Sequence, residues 1–556
     1  MAAQNNPLQI LGQTTLRTPA ISDARQTVVH SGAQELVFAV VGHVGSGTSE
    51  VAKALGTLLT AIDLPGGPFD VEIIKARDEI VRWANEKGES VPNPGVKSLA
   101  STVRLQDLGD RMRSQKTNAN DYDLSAVGRR LILTIRETRR RKTSATSSGD
   151  AHTDPVQPDG QRRAYILDSL RHPSEVELLR RVYQEAFILI GVVCDEKRRL
   201  ERMTEKFSDA GRTEIAKFMR RDARAEERYG QRVADTFHKS DFFVDNSAPR
   251  AGRGRGSNPN WGFVEKLARL IRIVTHSDVV RPEPEETAMQ HAWGAMMQSS
   301  CMSRQVGAAL LSKNGNVIAT GTNEVPRAGG GVYGEPNWQL KPGAQKDQDF
   351  LDSRCVFREE GNRYCSNTKE QIRISEELIE DIEELRTLSP PRKKSLISEL
   401  RVSRIGELLE FSRAVHAEMD ALLTAGRTGA STQGARLFVT TFPCHYCARH
   451  IISAGIDEVQ FIEPYPKSQA LTLHDDAITI DGEDWEAPST GGDKVLFVPF
   501  SGVAPRMYRR AFLKDRELKS RETGDYYVSP PEWGSPWHLS RQSYVELESE
   551  LARFES

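Results

Sequence analysis

The run Leu36-Val-Phe-Ala-Val-Val41 leads without a break into Gly42-His-Val-Gly-Ser-Gly-Thr-Ser49, and a helical pattern follows from Glu50 to Leu59. No other stretch restricts the fold so tightly. A short, continuous, Val-rich apolar run is the pattern of a strand buried on both faces, as in a parallel sheet. Similar runs stand at Asp70 to Ile74, Ala164 to Leu167, Ala186 to Val193 and Phe242 to Asp245, most of them separated by helical stretches. Strands alternating with helices imply a parallel sheet with right-handed crossovers. Residues 34–275 are therefore expected to form an open α/β unit.

Polar segments frame and interrupt this unit. Residues 1–33 carry no periodic apolar pattern and are expected to be a mobile tail. Residues 143–163 are rich in Ser, Thr, Asp, Gly and Pro and are expected to be a disordered loop; residues 250–260 are similar and basic. The run Arg139-Arg140-Arg141-Lys142 reads either as the solvated end of a helix or as a phosphate or RNA contact.

A second unit is expected over residues 286–500, with an insertion at 324–413 and a C-terminal extension at 501–556. Val306 to Ser312 and Val317 to Thr320 read as a hairpin around Lys313-Asn-Gly-Asn316, since Asn-Gly is a strong turn signal. Lys369 to Arg413 has helical periodicity, broken at Pro390-Pro391. A helix near His416, the strand Leu437 to Phe442, a helix from Cys444 and the strand Glu458 to Ile462 continue the α/β pattern.

Composition narrows the function. With 75 Lys and Arg against 77 Asp and Glu, the formal charge is −2, which excludes a generally basic nucleic-acid coat. The longest apolar runs are far short of the roughly 18 residues a membrane-spanning helix needs. No basic segment followed by an apolar core marks the first thirty residues, so no secretory signal is expected. Six cysteines do not make a disulfide scaffold in 556 residues, and two form a Cys-x-x-Cys pair. Metal binding in a reducing compartment fits them better, and the protein is expected to be cytoplasmic.

The chemistry concentrates at His416-Ala-Glu418 and Pro443-Cys444-His-Tyr-Cys447. Two cysteines three apart at a helix start can turn both sulfurs to one metal, and the positive helix end favours their thiolates. His416 adds a nitrogen, and three ligands leave the fourth tetrahedral position of Zn²⁺ open for water. Two thiolates neutralise the ion, so a nearby base is useful, and Glu418 stands two residues from the ligand to serve. A zinc that only staples the fold explains the Cys pair but neither the Glu nor the missing fourth ligand. His450, one turn beyond Cys447, reads either as that fourth ligand or as an exposed helix histidine.

His-Ala-Glu with a later Pro-Cys-x-x-Cys resembles the zinc-dependent cytidine and deoxycytidylate deaminases. The resemblance implies that water attacks C4 of cytosine while Glu418 moves its proton to N3 and then assists departure of ammonia. It extends to Ser300-Cys-Met-Ser-Arg-Gln-Val-Gly-Ala308, Thr320-Gly-Thr-Asn-Glu-Val-Pro326 and Ala448 to Ile456. It implies that Asn323 contacts the sugar, that Ala417 lies at the substrate and that Tyr465 lies beside the base. Cys301 matches a ligand of a second, structural zinc in phage-type members, and Cys355 and Cys365 fall in the insertion that would complete it; three ordinary thiols are the alternative. Arg304 and Lys467 are either phosphate contacts or solvated surface charges.

Gly42, Gly45, Ser46, Gly47, Thr48 and Ser49 resemble a P-loop, with the strand before and the helix after that such a loop requires. Thr48 replaces its Lys, so phosphoryl transfer loses a charge on the β- and γ-phosphates while nucleotide binding is retained. Asp168 is expected to hold Mg²⁺. Asp168 to Glu175 and the Arg-rich stretch from Arg220 to Arg232 are similar to nucleotide and nucleoside monophosphate kinases. Nucleotide binding or sensing, an active kinase and a structural relic all remain open for this unit.

The expected fold class is thus α/β, an N-terminal P-loop kinase-like parallel-sheet domain plus a C-terminal cytidine-deaminase-like α/β/α domain. That combination resembles the bacterial anti-phage dCTP deaminases. It implies conversion of free deoxycytidine nucleotides, dCTP and dCMP, to uracil nucleotides, depleting dCTP in defence against phage. It also implies a regulatory P-loop domain, a small RNA or nucleotide effector, and a homo-oligomer. The rival readings are a housekeeping dCMP deaminase for thymidylate supply, a single-stranded nucleic-acid cytidine deaminase, and an RNA-binding switch with a vestigial deaminase.

Overall fold

The computed structural model describes residues 25–553 except 27–28, 30–31, 62, 64–65, 94, 96–97, 119–120, 144–153, 248–261, 335–353, 357–359, 409, 466, 483, 515, 530–534 and 539–540. Two six-stranded sheets organise it. The first is built from β1 (Glu35–Val41), α1 (Thr48–Ala61), β2 (Asp70–Lys75), α2 (Ala76–Glu86), α3 (Leu99–Arg113), α4 (Ala126–Thr143), β3 (Arg163–Asp168), α5 (Pro173–Tyr183), β4 (Phe187–Val193), α6 (Glu196–Lys206), α7 (Arg212–Ala223) and β5 (Phe242–Asp245). Every residue of β1 and β4 is buried, which is why both read as unbroken apolar runs. α1 lays Val51, Ala52, Leu55 and Leu59 into the same core.

After α8 (Gly262–Thr275) the chain forms the second unit: α9 (Pro284–Met296), β6 (Gly307–Leu311), β7 (Val317–Thr322), α10 (Ser366–Asp381), α11 (Pro390–Val402), α12 (Ala417–Thr428), β8 (Arg436–Thr441), α13 (His445–Ser453), β9 (Glu458–Glu463), β10 (Ile478–Thr479) and β11 (Val495–Pro499). It then returns to the first sheet through β12 (Gly502–Val503), followed by α14 (Pro505–Phe512) and α15 (Arg541–Arg553). The first sheet runs β2-β3-β1-β4-β5-β12, parallel except for β12. The second runs β7-β6-β8-β9-β11-β10, with β6 and β7 antiparallel to their neighbours.

Three expectations change. The loop expected over 143–163 is narrower: Thr143 ends α4, Val156 is buried, and Arg163 opens β3, while 144–153 lie outside the described residues. The segment 250–260 also lies outside them, as does the tail over 1–33 apart from a few positions, of which Ala33 is core. The basic run at the end of α4 is only partly a solvated end: Arg141 is exposed, while two of its neighbours are held in ion pairs. Arg139 is fully buried, donating to Glu35 at 2.8 Å and to Glu548 of α15 at 2.6 Å, and Lys142 pairs with Asp70 at 2.7 Å. The break expected at Pro390-Pro391 is present, and Pro390 opens α11, because the first helical position needs no N–H donor. The C-terminal extension is not an appendage, since β12 and α15 both pack on the first unit.

Candidate metal centre and phosphate loop

The zinc-ligand residues come from two helix starts facing one another at the end of the second sheet. His416 is the N-cap of α12 and Cys444 that of α13, with Cys447 in the first turn of α13. Gly321 of β7 lets α12 approach closely: a Cβ there would lie 2.2 Å from the Ala417 carbonyl oxygen and 2.3 Å from the Ala421 nitrogen. The buried Asp420 fastens the same helix by accepting the Thr322 N–H at 3.1 Å. On the other side, Ser468 donates to the Pro443 carbonyl at 2.7 Å and holds the turn into α13.

His416 Nδ1 stands 3.3 Å from Cys444 Sγ and 3.4 Å from Cys447 Sγ. Tetrahedral zinc with ordinary Zn–S and Zn–N bonds would place sulfur and nitrogen about 3.6 Å apart, so the donor set fits that ion. Among the described residues this is the one group of three such donors within 4.8 Å of one another. Hydrogen bonding from Cys447, supported by His416, pulls the Cys444 thiol down to about 4. His416 is raised to about 9, chiefly by its bond to Cys444. Among the described residues His450 does not join this donor group, and its Nδ1 lies 2.6 Å from the Tyr446 carbonyl oxygen.

Glu418 lies beside this triad, 4% exposed. Burial pushes its carboxyl up to about 7, partly opposed by His416. His416, Cys444 and Glu418 line a cavity of about 410 Å³. Asn323, Ala417, Tyr465, Arg304 and Lys467 line it, as do Cys301, Cys355 and Cys365. Asn323 Oδ1 accepts the Val306 N–H at 2.6 Å and its Nδ2 donates to the Arg304 carbonyl at 2.7 Å. A second Nδ2 hydrogen and a second Oδ1 lone pair remain for a ligand. The Arg304 guanidinium lies 5.8 Å from the centre of the Tyr465 ring. The three cysteines share the cavity wall without meeting the 4.8 Å test that His416, Cys444 and Cys447 pass, and Cys365 Sγ is instead 3.5 Å from Ser303 Oγ.

Two positioning acids have no role legible in the sequence, although Glu324 lies within the deaminase-like segment from Thr320 to Pro326. Glu324 is buried and accepts from both the N–H and the hydroxyl of Ser300, at 2.8 and 2.6 Å, fixing the loop that bears Cys301 and Arg304. Glu463 accepts the Thr441 hydroxyl at 3.3 Å and faces Arg304 at 3.4 Å.

The glycine-rich loop leaves β1 at the point where the strand order reverses, between β3 and β4, which is where open α/β sheets form their ligand crevice. Gly45 and Gly47 have φ of 85° and 87°, a region that favours glycine. Ser49 Oγ donates to Asp168 Oδ2 at 2.7 Å, so the hydroxyl and the acid expected to share a cation are adjacent. Most arginines of the stretch from 220 to 232 are committed elsewhere: Arg221 pairs with Asp107 and Asp110, and Arg224 and Arg232 pair with Asp235.

Three metal donors beside a buried carboxyl fit a zinc site that keeps one position for a further ligand, and the C-terminal region resembles the zinc-binding domains of the deaminase class. More narrowly, residues 282–463 match the family model of the cytidine and deoxycytidylate deaminase zinc-binding region. The deoxycytidylate deaminase of Enterobacteria phage T4 is 26% identical over 186 residues, 33% of this chain and 79% of that protein. Its phage T2 counterpart is 25% identical over 193 residues, 33% of this chain and 81% of that one. A solved dCMP deaminase from the cyanophage S-TIM5 aligns at 18% identity and a TM-score of 0.20, covering 40% of this chain and 100% of its own, too loose a superposition to carry an argument. Among the described residues no helix is long and apolar enough to cross a membrane.

Proposed function

We propose that this protein hydrolytically deaminates free deoxycytidine nucleotides, dCTP and dCMP, to the corresponding uracil nucleotides, and that its first unit is a P-loop kinase-like domain that regulates the reaction. The observation that carries the deaminase reading is a buried Glu418 beside three zinc donors at the floor of a nucleotide-sized cavity. Zinc, held by His416, Cys444 and Cys447, supplies the Lewis acidity that makes water nucleophilic near neutral pH. Glu418 takes the proton of the attacking water, passes it to N3 of the ring and later returns one to the leaving ammonia. Burial of Glu418 keeps its carboxyl able to hold a proton as well as to take one, as both halves of that task require. Asn323 and Tyr465 orient sugar and base, while Arg304 and Lys467 at the wall favour a phosphorylated substrate over free cytosine. The relatives named deoxycytidylate deaminase support dCMP as one substrate.

The strand order around β1, the positive-φ glycines and the Ser49–Asp168 bond support a nucleotide site with Mg²⁺ in the first unit. A large first unit beside the deaminase fits a controlled enzyme that withdraws dCTP on demand, as antiviral defence against phage requires, better than constant thymidylate supply. Incubating the zinc-loaded protein with dCTP, dCMP, CTP and cytosine-containing single strands, and following uracil by mass, tests the reading. The expected result is product from dCTP or dCMP, reduced roughly 10²- to 10⁴-fold in Glu418→Gln at unchanged zinc content. Product from single strands alone would overturn it in favour of a polynucleotide deaminase.

A further inference from the structure

The glycine-rich loop already holds an anion, and the anion belongs to the protein. Asp222, on α7 and 2% exposed, reaches across to the loop. Its Oδ2 accepts the Val44 N–H at 2.7 Å, and its Oδ1 accepts Arg171 Nη1 at 2.8 Å. The same Arg171 nitrogen donates to the Gly42 carbonyl at 3.0 Å. Arg199 adds its charge to Asp222 and lies so close that a Cβ on Gly45 would meet its carbonyl oxygen at 2.8 Å. Arg202 donates to the Gly45 carbonyl at 3.4 Å and to that of Asn246 at 2.9 Å. A backbone N–H and a guanidinium on one carboxylate are the donors with which loops of this kind grip phosphate oxygens. Three arginines also restore the positive charge lost where Thr48 stands in place of Lys.

The loop contains a second sign of a ligand. Ser46 and Asn246 are 1% and 0% exposed, yet among the described residues Ser46 Oγ and Asn246 Oδ1 have no hydrogen-bond partner. Asn246 Nδ2 is anchored on the Ser46 carbonyl at 2.8 Å, which ties the end of β5 to the loop. Ser46 Oγ points inside the loop, where a Cβ on Gly42 would come within 2.4 Å of it. Buried polar atoms without partners mark a seat that a ligand completes.

We infer that Asp222 is an internal stand-in for a phosphate, and that a nucleotide di- or triphosphate enters the loop by displacing this carboxylate from Val44 and Arg171. The inference rests on the reading of the loop as a nucleotide site and adds how that site is kept closed. α7 is then the element that moves on loading, because it carries Asp222.

Isothermal titration of the full-length protein with inorganic pyrophosphate and with Mg-ATP tests this. The proteins compared are the wild type, Asp222→Asn and the loop-blocked Gly47→Val. Removing the competing charge at constant shape should tighten binding of both probes roughly tenfold or more, since such exchanges of a charged hydrogen bond are worth at least that factor. Gly47→Val should bind neither. Binding to Asp222→Asn that is equal to or weaker than wild type overturns the proposal while leaving the nucleotide-site reading intact. No binding of either probe to wild type or Asp222→Asn overturns both. Hydrogen exchange on the wild type gives a readout that needs no variant: saturating pyrophosphate should speed exchange in residues 212–223, and protection there would overturn the displacement.

Discussion

His172 shows how one side chain fixes a protonation state. It caps α5, its Nδ1 accepting the Ser174 N–H at 3.2 Å while Nε2 stands 3.2 Å from the Arg228 carbonyl oxygen, and it is 2% exposed. Nδ1 must stay unprotonated to accept, so the ring is held neutral, and burial lowers its pKa below the ordinary histidine value. The unfolded chain takes up this proton near pH 6.5, before the folded one does. Stability is therefore complete above that pH and is lost as pH falls below it. His172→Asn keeps a capping oxygen and removes the titration. Its melting temperature should fall less than that of the wild type between pH 7.5 and pH 5, as followed by scanning calorimetry; equal falls would show that His172 does not set the slope. The zinc donors and Glu418 are legible in the sequence because the metal dictates both residue type and spacing. The roles of Glu324, Glu463 and Asp222 are not, even though two of them lie in segments with a family resemblance, because an acid's partner is chosen by tertiary contact and leaves no mark on its neighbours.

At the level of elements, the strands are the most legible parts of this chain. β1 and β4 are buried on both faces and so write themselves as continuous apolar runs. The end of α4 is hidden for the opposite reason. Four adjacent basic residues read as one solvated patch, yet two helical steps turn Arg141 about 200° from Arg139, so one is exposed while the other is buried. Gly321 is equally silent, since a glycine in a strand does not announce the helix that lies against it. Its role is measurable. Gly321→Ala would thrust a methyl into the backbone of α12 and push away the turn that carries His416 and Glu418. We expect a loss of about 1–3 kcal/mol, the usual range for overpacking, with a lower zinc content at equal protein. Thermal melts and metal analysis check the two together. A stable variant with full zinc would mean that the strand and helix separate without cost to the site.

Across the whole molecule, the chain order and the spatial order disagree, and the disagreement joins the two units. The C-terminal residues cross back: β12 pairs with β5, and Glu548 of α15 enters the first unit, accepting from Arg139 and, at 2.6 Å, from the Tyr183 hydroxyl. Glu286 stands at the junction. It is fully buried at the start of α9 and accepts the Val503 N–H of β12 at 2.7 Å, the Glu283 N–H at 2.8 Å and both Arg269 terminal nitrogens, at 2.6 and 2.7 Å. One carboxylate therefore binds α8 of the first unit, α9 of the second and the returning strand. Glu286→Ala would leave Arg269 and the Val503 N–H without this partner, a defect that typically costs about 3–5 kcal/mol. Because the units share that joint, the wild type should unfold in urea in one transition, with zinc release and loss of helical signal coinciding. Glu286→Ala should lower the midpoint and separate the two signals. If the signals already separate in the wild type, the joint does not couple the units, and displacement at the glycine-rich loop would have no rigid path through Asn246, β5 and β12 to the second sheet.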